Sequence, residues 1–201
     1  ARIALTFELP LAAVVGDGRL ALAIVAKKEL ASEWVHRART GSLSDRRLAA
    51  RILERAAREA SRRASQGDLG GVRTFQSDAV QSTISLLLAD REGLVWRGVA
   101  IVRGLLAPFV PEWQAEVEYS LDPSLSPTEW RRGATSLAAR AALEPEAAFR
   151  EFPRMVAVAQ RDPGVYSAFV WGLPRAIEAE PDAAEALVDR LCANAPPYFF
   201  A

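Results

Sequence analysis

Apolar positions recur every three or four residues along most of the chain, which predicts amphipathic α-helices as the main structural element. Residues 44–63 show the pattern clearly, because their apolar side chains repeat at four-residue intervals from Leu48 to Ala60. Ser44 is predicted to cap this helix, with Leu43 packing onto Leu48 as a hydrophobic staple. The hydrophobic pattern therefore predicts a mainly all-α protein.

The segment LSPTEW, residues 125–130, predicts a second helix start. Ser126 is an N-cap residue, Pro127 occupies the first helical position, and Glu129 completes a capping box. These cues agree with one another, and they predict a helix over 127–143.

From residue 91 onward, similar segments recur in pairs. The second helix of each pair starts at Pro-Glu or Pro-Asp, at positions 111, 145 and 181, which are 34 and 36 residues apart. A proline in the first helical turn loses only an unpaired amide, and the acid meets the positive end of the helix dipole. The six predicted helices span 91–106, 111–121, 127–143, 145–160, 165–179 and 181–193.

Two Asp-Pro joints separate these pairs, at Asp122-Pro123 and Asp162-Pro163, and Pro174 falls inside a predicted helix. Over 91–193 the chain resembles the HEAT and armadillo class of helical repeats. The resemblance implies stacked helical hairpins that form a short α-solenoid and bury their apolar faces against one another. The class also includes DNA glycosylases that act on alkylated bases, but no residue pattern here matches their catalytic acid and aromatic pocket.

The N-terminal region has two interpretations. Residues 2–9 alternate apolar and polar side chains as a strand does, and residues 19–39 either continue a β-hairpin or form a helix. The Ala, Leu, Lys and Glu content of 19–39 favours the helix. The glycine-rich segment 65–71 predicts a flexible joint, followed by a helix over 76–89.

Four regions follow from these elements. They are an N-terminal capping region of strand plus helix (1–42), an arginine-rich helix with the next helix (43–90), three HEAT-like hairpins (91–194) and an aromatic tail (195–201). The tail either folds back over the last hairpin or serves as a docking segment.

The sequence offers little catalytic chemistry. His36 is the one histidine and Cys192 the one cysteine, and the glycines at 16–18 lack the lysine and spacing of a phosphate-binding loop. No acidic cluster has the spacing of metal ligands. We expect no catalytic residue, no cofactor and no metal, which favours a protein that is not an enzyme.

Charge is balanced overall but divided along the chain. Lys+Arg and Asp+Glu both total 25, yet residues 36–75 carry ten arginines against four acids, and residues 105–201 carry eight against fourteen. Five of the arginines recur at helical spacing within 46–63, and they are candidates for binding a nucleic acid or a protein partner: Arg47, Arg51, Arg55, Arg58 and Arg62. A row of guanidinium groups suits phosphates.

The same arginines have two other interpretations. They are either a docking surface for an acidic protein or a second copy of the chain, or a solvated helix face. In the second case the stabilising pairs are predicted to be Glu54–Arg58, Arg55–Glu59 and Glu59–Arg63.

Five tryptophans are present, and core packing between helices explains most of them. Trp113 follows Glu112 at a predicted helix start and is the tryptophan expected to be exposed, where it would anchor a partner.

The leading functional hypothesis is a non-enzymatic helical-repeat scaffold or adaptor that binds a protein or peptide. The alternative is a nucleic-acid-binding repeat protein that uses the arginines of 46–63. No apolar run reaches the roughly 18 residues of a membrane span, so we expect no membrane partner and a cytoplasmic location. A solvent-facing row of arginines that continues onto a neighbouring helix would favour nucleic acid.

Overall fold

The computed structural model describes residues 16–165 except 120 and 142, together with the single positions 167, 181, 185, 189 and 193. Within these residues the protein is all-α, with nine α-helices, three short 3-10 turns and no strand. The chain divides into two compact units, Ala1–Val102 and Arg103–Ala201.

The first unit contains five complete helices and the start of a sixth. They are α1 (Gly18–Val25), α2 (Ala31–Thr40), α3 (Leu43–Ala64), α4 (Gly70–Phe75), α5 (Asp78–Leu88) and α6 (Gly93–Leu106), whose last four residues belong to the second unit.

Helix α3 is the centre of the first unit. It packs against α1, α2 and α4, while α2 also packs against α5. Small residues on α3 allow this close approach, since a β-carbon added at Gly71 would lie 2.9 Å from the β-carbon of Ala60. A β-carbon added at Gly98 of α6 would lie 3.3 Å from that of Ala50. Six alanines of α3 are buried: Ala49, Ala50, Ala56, Ala57, Ala60 and Ala64.

The start of α3 differs from the prediction in one respect. The N-cap is Ser42 rather than Ser44, and its side chain accepts a hydrogen bond from the Asp45 amide at 3.2 Å. Asp45 returns the interaction by accepting from the Ser42 amide at 3.0 Å. Ser44 was the wrong choice because the residue three positions after it is Arg47, which cannot accept a hydrogen bond.

The segment 19–39 is helical, so the hairpin interpretation of it is wrong. The helix predicted over 76–89 is present as α5 (Asp78–Leu88), and a short helix that was not predicted, α4, precedes it. The turn before α4 contains Gly67, whose φ of 91° suits glycine.

The second unit contains the end of α6, then α7 (Pro111–Tyr119), α8 (Pro127–Arg140) and α9 (Pro145–Ala159). Helix α8 packs against both α7 and α9. The predicted proline starts at 111 and 145 are confirmed, and so is the capping box formed by Ser126 and Glu129.

Several predictions lie outside the described residues. These are the strand at 2–9, most of the helix at 165–179, Pro174, Cys192 and the tail at 195–201. The helix predicted at 181–193 falls where only isolated positions are described.

Candidate functional site: an arginine ridge on helix α3

The five candidate arginines of α3 share one narrow face of the helix. At about 100° per residue, they fall within about 80° of arc around the helix axis. Between Asp45 and Ala64, the exposed positions are occupied by arginine alone, namely Arg51, Arg55, Arg58 and Arg62, while Arg47 is half-buried. We call Arg47, Arg51, Arg55, Arg58 and Arg62 the arginine ridge.

The burial of α3 explains why the ridge is so narrow. Apolar side chains such as Ile52, Leu53 and Ala56 cover the opposite side, and each is at most 1% exposed. Long arginine stems can lie along apolar surface while the guanidinium groups stay in water. The four exposed positions of α3 over 45–64 therefore all lie on the ridge.

Three ridge arginines are held by carboxylates of the first unit. Arg47 donates to Glu92 at 2.8 Å. Arg58 donates to Glu54 at 2.7 Å, and Arg62 donates to Glu59 at 2.9 Å. These bonds orient the guanidinium groups at the two ends of the ridge, those of Arg47 and Arg62, and that of Arg58 next to Arg62.

Two of the three predicted intrahelical pairs are present, Glu54–Arg58 and Glu59–Arg63. The pair Arg55–Glu59 does not form, because the Glu59 carboxylate is occupied by Arg62 and Arg63. Arg51 and Arg55 are exposed, and neither forms an ion pair with any residue that the structure describes. The solvated-helix interpretation therefore accounts for part of the ridge only.

Glu59 is the one buried carboxylate of α3. Its side chain is 9% exposed, and it accepts hydrogen bonds from Arg62 and Arg63 at 2.8–3.0 Å. The hydrogen bond from Arg62, then that from Arg63, lowers the pKa of Glu59 to about 2. Glu59 therefore stays ionised at physiological pH and holds Arg62 at the end of the ridge.

Sequence reasoning missed two arginines beside the ridge. Arg19 of α1 is 75% exposed, and its Nε lies 3.8 Å from Oε1 of Glu59. Arg97 of α6 is exposed, with its guanidinium carbon 5.9 Å from the centre of the Trp96 ring. Each of these arginines is next to a glycine in the sequence, Arg19 after Gly18 and Arg97 before Gly98. At these glycines α1 and α6 approach α3 closely, so the two glycines were the signal that the sequence offered.

Trp113 is not part of an exposed site. Trp113 is 2% exposed, so the expectation of an exposed aromatic anchor is wrong. Trp113 is the third residue of α7, and the burial of such a position depends on packing partners far away in sequence.

The other candidates for functional chemistry in the described part of the chain are His36 and groups of possible metal ligands. His36 is exposed on α2 and lies within hydrogen-bond distance of the Thr40 hydroxyl, at 3.3 Å. Over the same residues, no group of three or more His, Cys, Asp or Glu side chains is placed to hold a metal ion. No described helix is both long enough and apolar enough to cross a membrane.

Comparison with known proteins gives no relative from which a role could be transferred. No family model matches the chain, and neither a curated protein nor a solved structure is significantly similar to it.

Proposed function

We propose that the protein is a non-enzymatic helical module that binds nucleic-acid phosphates along the arginine ridge. One observation carries the proposal: over 45–64 the exposed positions of α3 are all arginines. A helix face that needed only to be soluble would be expected to mix both signs of charge and neutral polar groups.

Arg51 and Arg55, which have no ion-pair partner among the described residues, are the best placed for phosphates. Arg51 and Arg55 lie side by side on successive turns, about 6 Å apart along the axis. Guanidinium groups donate two parallel hydrogen bonds to phosphate oxygens, which makes such contacts stronger than those of a neutral donor. Because no described carboxylate is bound to either guanidinium group, a phosphate would not have to displace one.

The proposal is tested by fluorescence anisotropy of labelled DNA and RNA, duplex and single-stranded, across a series of salt concentrations. The ridge variant is Arg51→Glu/Arg55→Glu. The matched control is Arg39→Glu/Arg73→Glu, which reverses two exposed arginines of α2 and α4 instead. All changes preserve helix propensity to within a few tenths of a kcal/mol.

We expect micromolar or tighter binding whose logarithm falls steeply with the logarithm of salt concentration. The ridge variant should lose at least about tenfold in affinity, while the control should lose much less. Equal losses in both variants would indicate a general effect of net charge, and absence of binding at low salt would reject the proposal.

An acidic protein or peptide is the second candidate partner, in line with the scaffold hypothesis. Three carboxylates of the chain already lie against the ridge at hydrogen-bonding distances, which supports a fit to acidic side chains. A poly-glutamate peptide is the probe. If it binds more tightly than nucleic acid at the same ionic strength, and the ridge variant abolishes that binding, the second candidate replaces the first.

The repeat architecture also belongs to the proposal. We propose that the helical pairs stack as in an α-solenoid, and two features support it. Successive helices of the second unit pack on one another, and α7 and α9 begin at equivalent Pro-Glu positions.

A further inference from the structure

Helices α1 and α6 meet α3 on opposite sides of the ridge. A β-carbon added at Gly18 of α1 would lie 3.1 Å from the β-carbon of Glu59 and 3.3 Å from the Arg55 carbonyl oxygen. Gly98 of α6 faces Ala50 in the same close manner. Ala50 and Glu59 are nine residues apart, and this places them about 180° apart around the helix.

Each flanking helix has an exposed arginine next in sequence to the glycine at which the helix meets α3. On α6, Val95 and Val99 are buried on one side of Gly98, whereas Leu94 and Arg97 are exposed on the other. On α1, the exposed residue next to Gly18 is Arg19, which shares the Glu59 carboxylate with Arg62. The ridge therefore has an exposed arginine beyond each of its long edges.

The charge of this three-helix surface is positive. The five ridge arginines together with Arg19 and Arg97 face four nearby carboxylates, so three positive charges remain. The four carboxylates are those of Asp17, Glu54, Glu59 and Glu92. Three of these are bound to arginine side chains, and Asp17 caps α1.

The width of this surface indicates whether the nucleic acid is single-stranded or double-stranded. Packed helices are about 8–10 Å apart and the glycine contacts bring α1 and α6 to the lower end of that range, so a surface that includes both flanks of α3 is about 16 Å wide. A single strand that follows the ridge would meet α3 alone. The strands of a duplex border grooves about 6 Å and 12 Å wide, so phosphates of both strands can meet one surface of this width.

We infer that the partner of this surface is a double-stranded nucleic acid, whose two strands are contacted by the ridge and by Arg19 and Arg97 on its flanks. The inference rests on the proposed function and narrows it to one class of ligand. Contacts of this kind are made to the phosphates, so they fix the position of the duplex without reading its sequence.

The test uses the full chain with a labelled 20-base-pair duplex and the matching single strand, in anisotropy titrations over a salt series. The flank variant is Arg19→Gln/Arg97→Gln, which removes two charges without placing a new carboxylate beside Glu59. Ridge and control variants are the two pairs already described. Circular dichroism melting of each variant verifies that it is folded.

We expect the duplex to bind at least about tenfold more tightly than the single strand. The flank variant should weaken duplex binding about five- to tenfold and reduce its log–log salt slope by about two, leaving single-strand binding unchanged. Equal binding of both nucleic acids, or an unaltered duplex slope in the flank variant, overturns the inference.

The two levels of the proposal fail in different ways. If the flank variant has no effect while Arg51→Glu/Arg55→Glu still weakens binding at least about tenfold, the ridge binds nucleic acid and only the duplex assignment is wrong. If the ridge variant binds as the unaltered protein does, or if neither nucleic acid binds, the proposed function fails and the inference fails with it.

Discussion

Arg131 and Asp162 form a two-pronged ion pair within the second unit. The Nε of Arg131 donates to Oδ2 of Asp162 at 2.7 Å, and its Nη2 donates to Oδ1 at 2.8 Å. Oδ1 also accepts the Gly164 amide at 3.1 Å. The pair joins α8 to the Asp-Pro turn that follows α9, and the hydrogen bond from Arg131 lowers the pKa of Asp162.

Asp162→Asn should destabilise the second unit by about 1–2 kcal/mol, because it removes the charge from a bidentate pair whose carboxylate is buried. Urea unfolding followed by circular dichroism measures the change. The control is Glu151→Gln, which breaks the Arg154–Glu151 surface pair and should cost less than about 0.5 kcal/mol. Equal effects would mean that the Arg131–Asp162 geometry adds nothing to an ordinary surface pair.

Gly104 permits the closest approach of two helices in the second unit. A β-carbon there would overlap the Ser136 carbonyl oxygen and would lie 2.8 Å from the Ala139 β-carbon. Since a backbone atom cannot turn away as a flexible side chain can, Gly104→Ala should destabilise the protein by about 1–3 kcal/mol. Gly93 lies in the same helix with nothing within 4 Å of the added carbon, so Gly93→Ala is the matched control.

Thermal melting of both glycine variants tests this packing. We expect a clear fall in Tm for Gly104→Ala and a change of a few tenths of a kcal/mol, in either direction, for Gly93→Ala. An unchanged Tm in Gly104→Ala would mean that α6 and α8 can separate at no cost, contrary to the close contact described.

Local signals in the sequence predicted more of the fold than long-range ones did. The all-α class, the proline starts of α7 and α9 and the Ser126 cap depend on residues a few positions apart, and the structure confirms them. The ridge also followed from spacing within one helix. The sequence did not predict the pairing of Arg47 with Glu92. The two residues are 45 apart, and a contact over that separation depends on tertiary packing and produces no periodic pattern in the sequence.

The N-cap of α3 is another feature that the sequence predicted only in part. Ser42 and Ser44 are both acceptable N-cap residues, and only the acid at the third helical position identifies Ser42. Ser42→Ala should therefore cost about 1 kcal/mol of unfolding free energy, whereas Ser44→Ala, at an exposed helical position, should change it by less than about 0.5 kcal/mol. Urea denaturation of the two variants measures these changes in unfolding free energy. A larger loss of unfolding free energy for Ser44→Ala than for Ser42→Ala would contradict the observed cap.

Glu59 predicts a measurable response to acid. Its pKa falls from an ordinary 4.5 to about 2 on folding, through the hydrogen bonds from Arg62 and Arg63. Above pH 4.5 the carboxylate is ionised in both folded and unfolded chains, so its stabilising effect is complete. As the pH falls from 4.5 towards 2, the unfolded chain binds the proton first, and this part of the stability is lost.

Glu59→Gln should lower the unfolding free energy near pH 7 by about 1 kcal/mol, a modest value because the two arginines are partly solvated. The gap between the variant and the unaltered protein should narrow from pH 5 to pH 3, since only the unaltered protein loses this interaction on protonation. Urea titrations at several pH values measure the gap, with Glu29→Gln, an exposed carboxylate, as the control. A gap that stays constant over this range would show that Glu59 contributes by packing rather than by charge, and Arg62 would then lack the electrostatic support assigned to it at the end of the ridge.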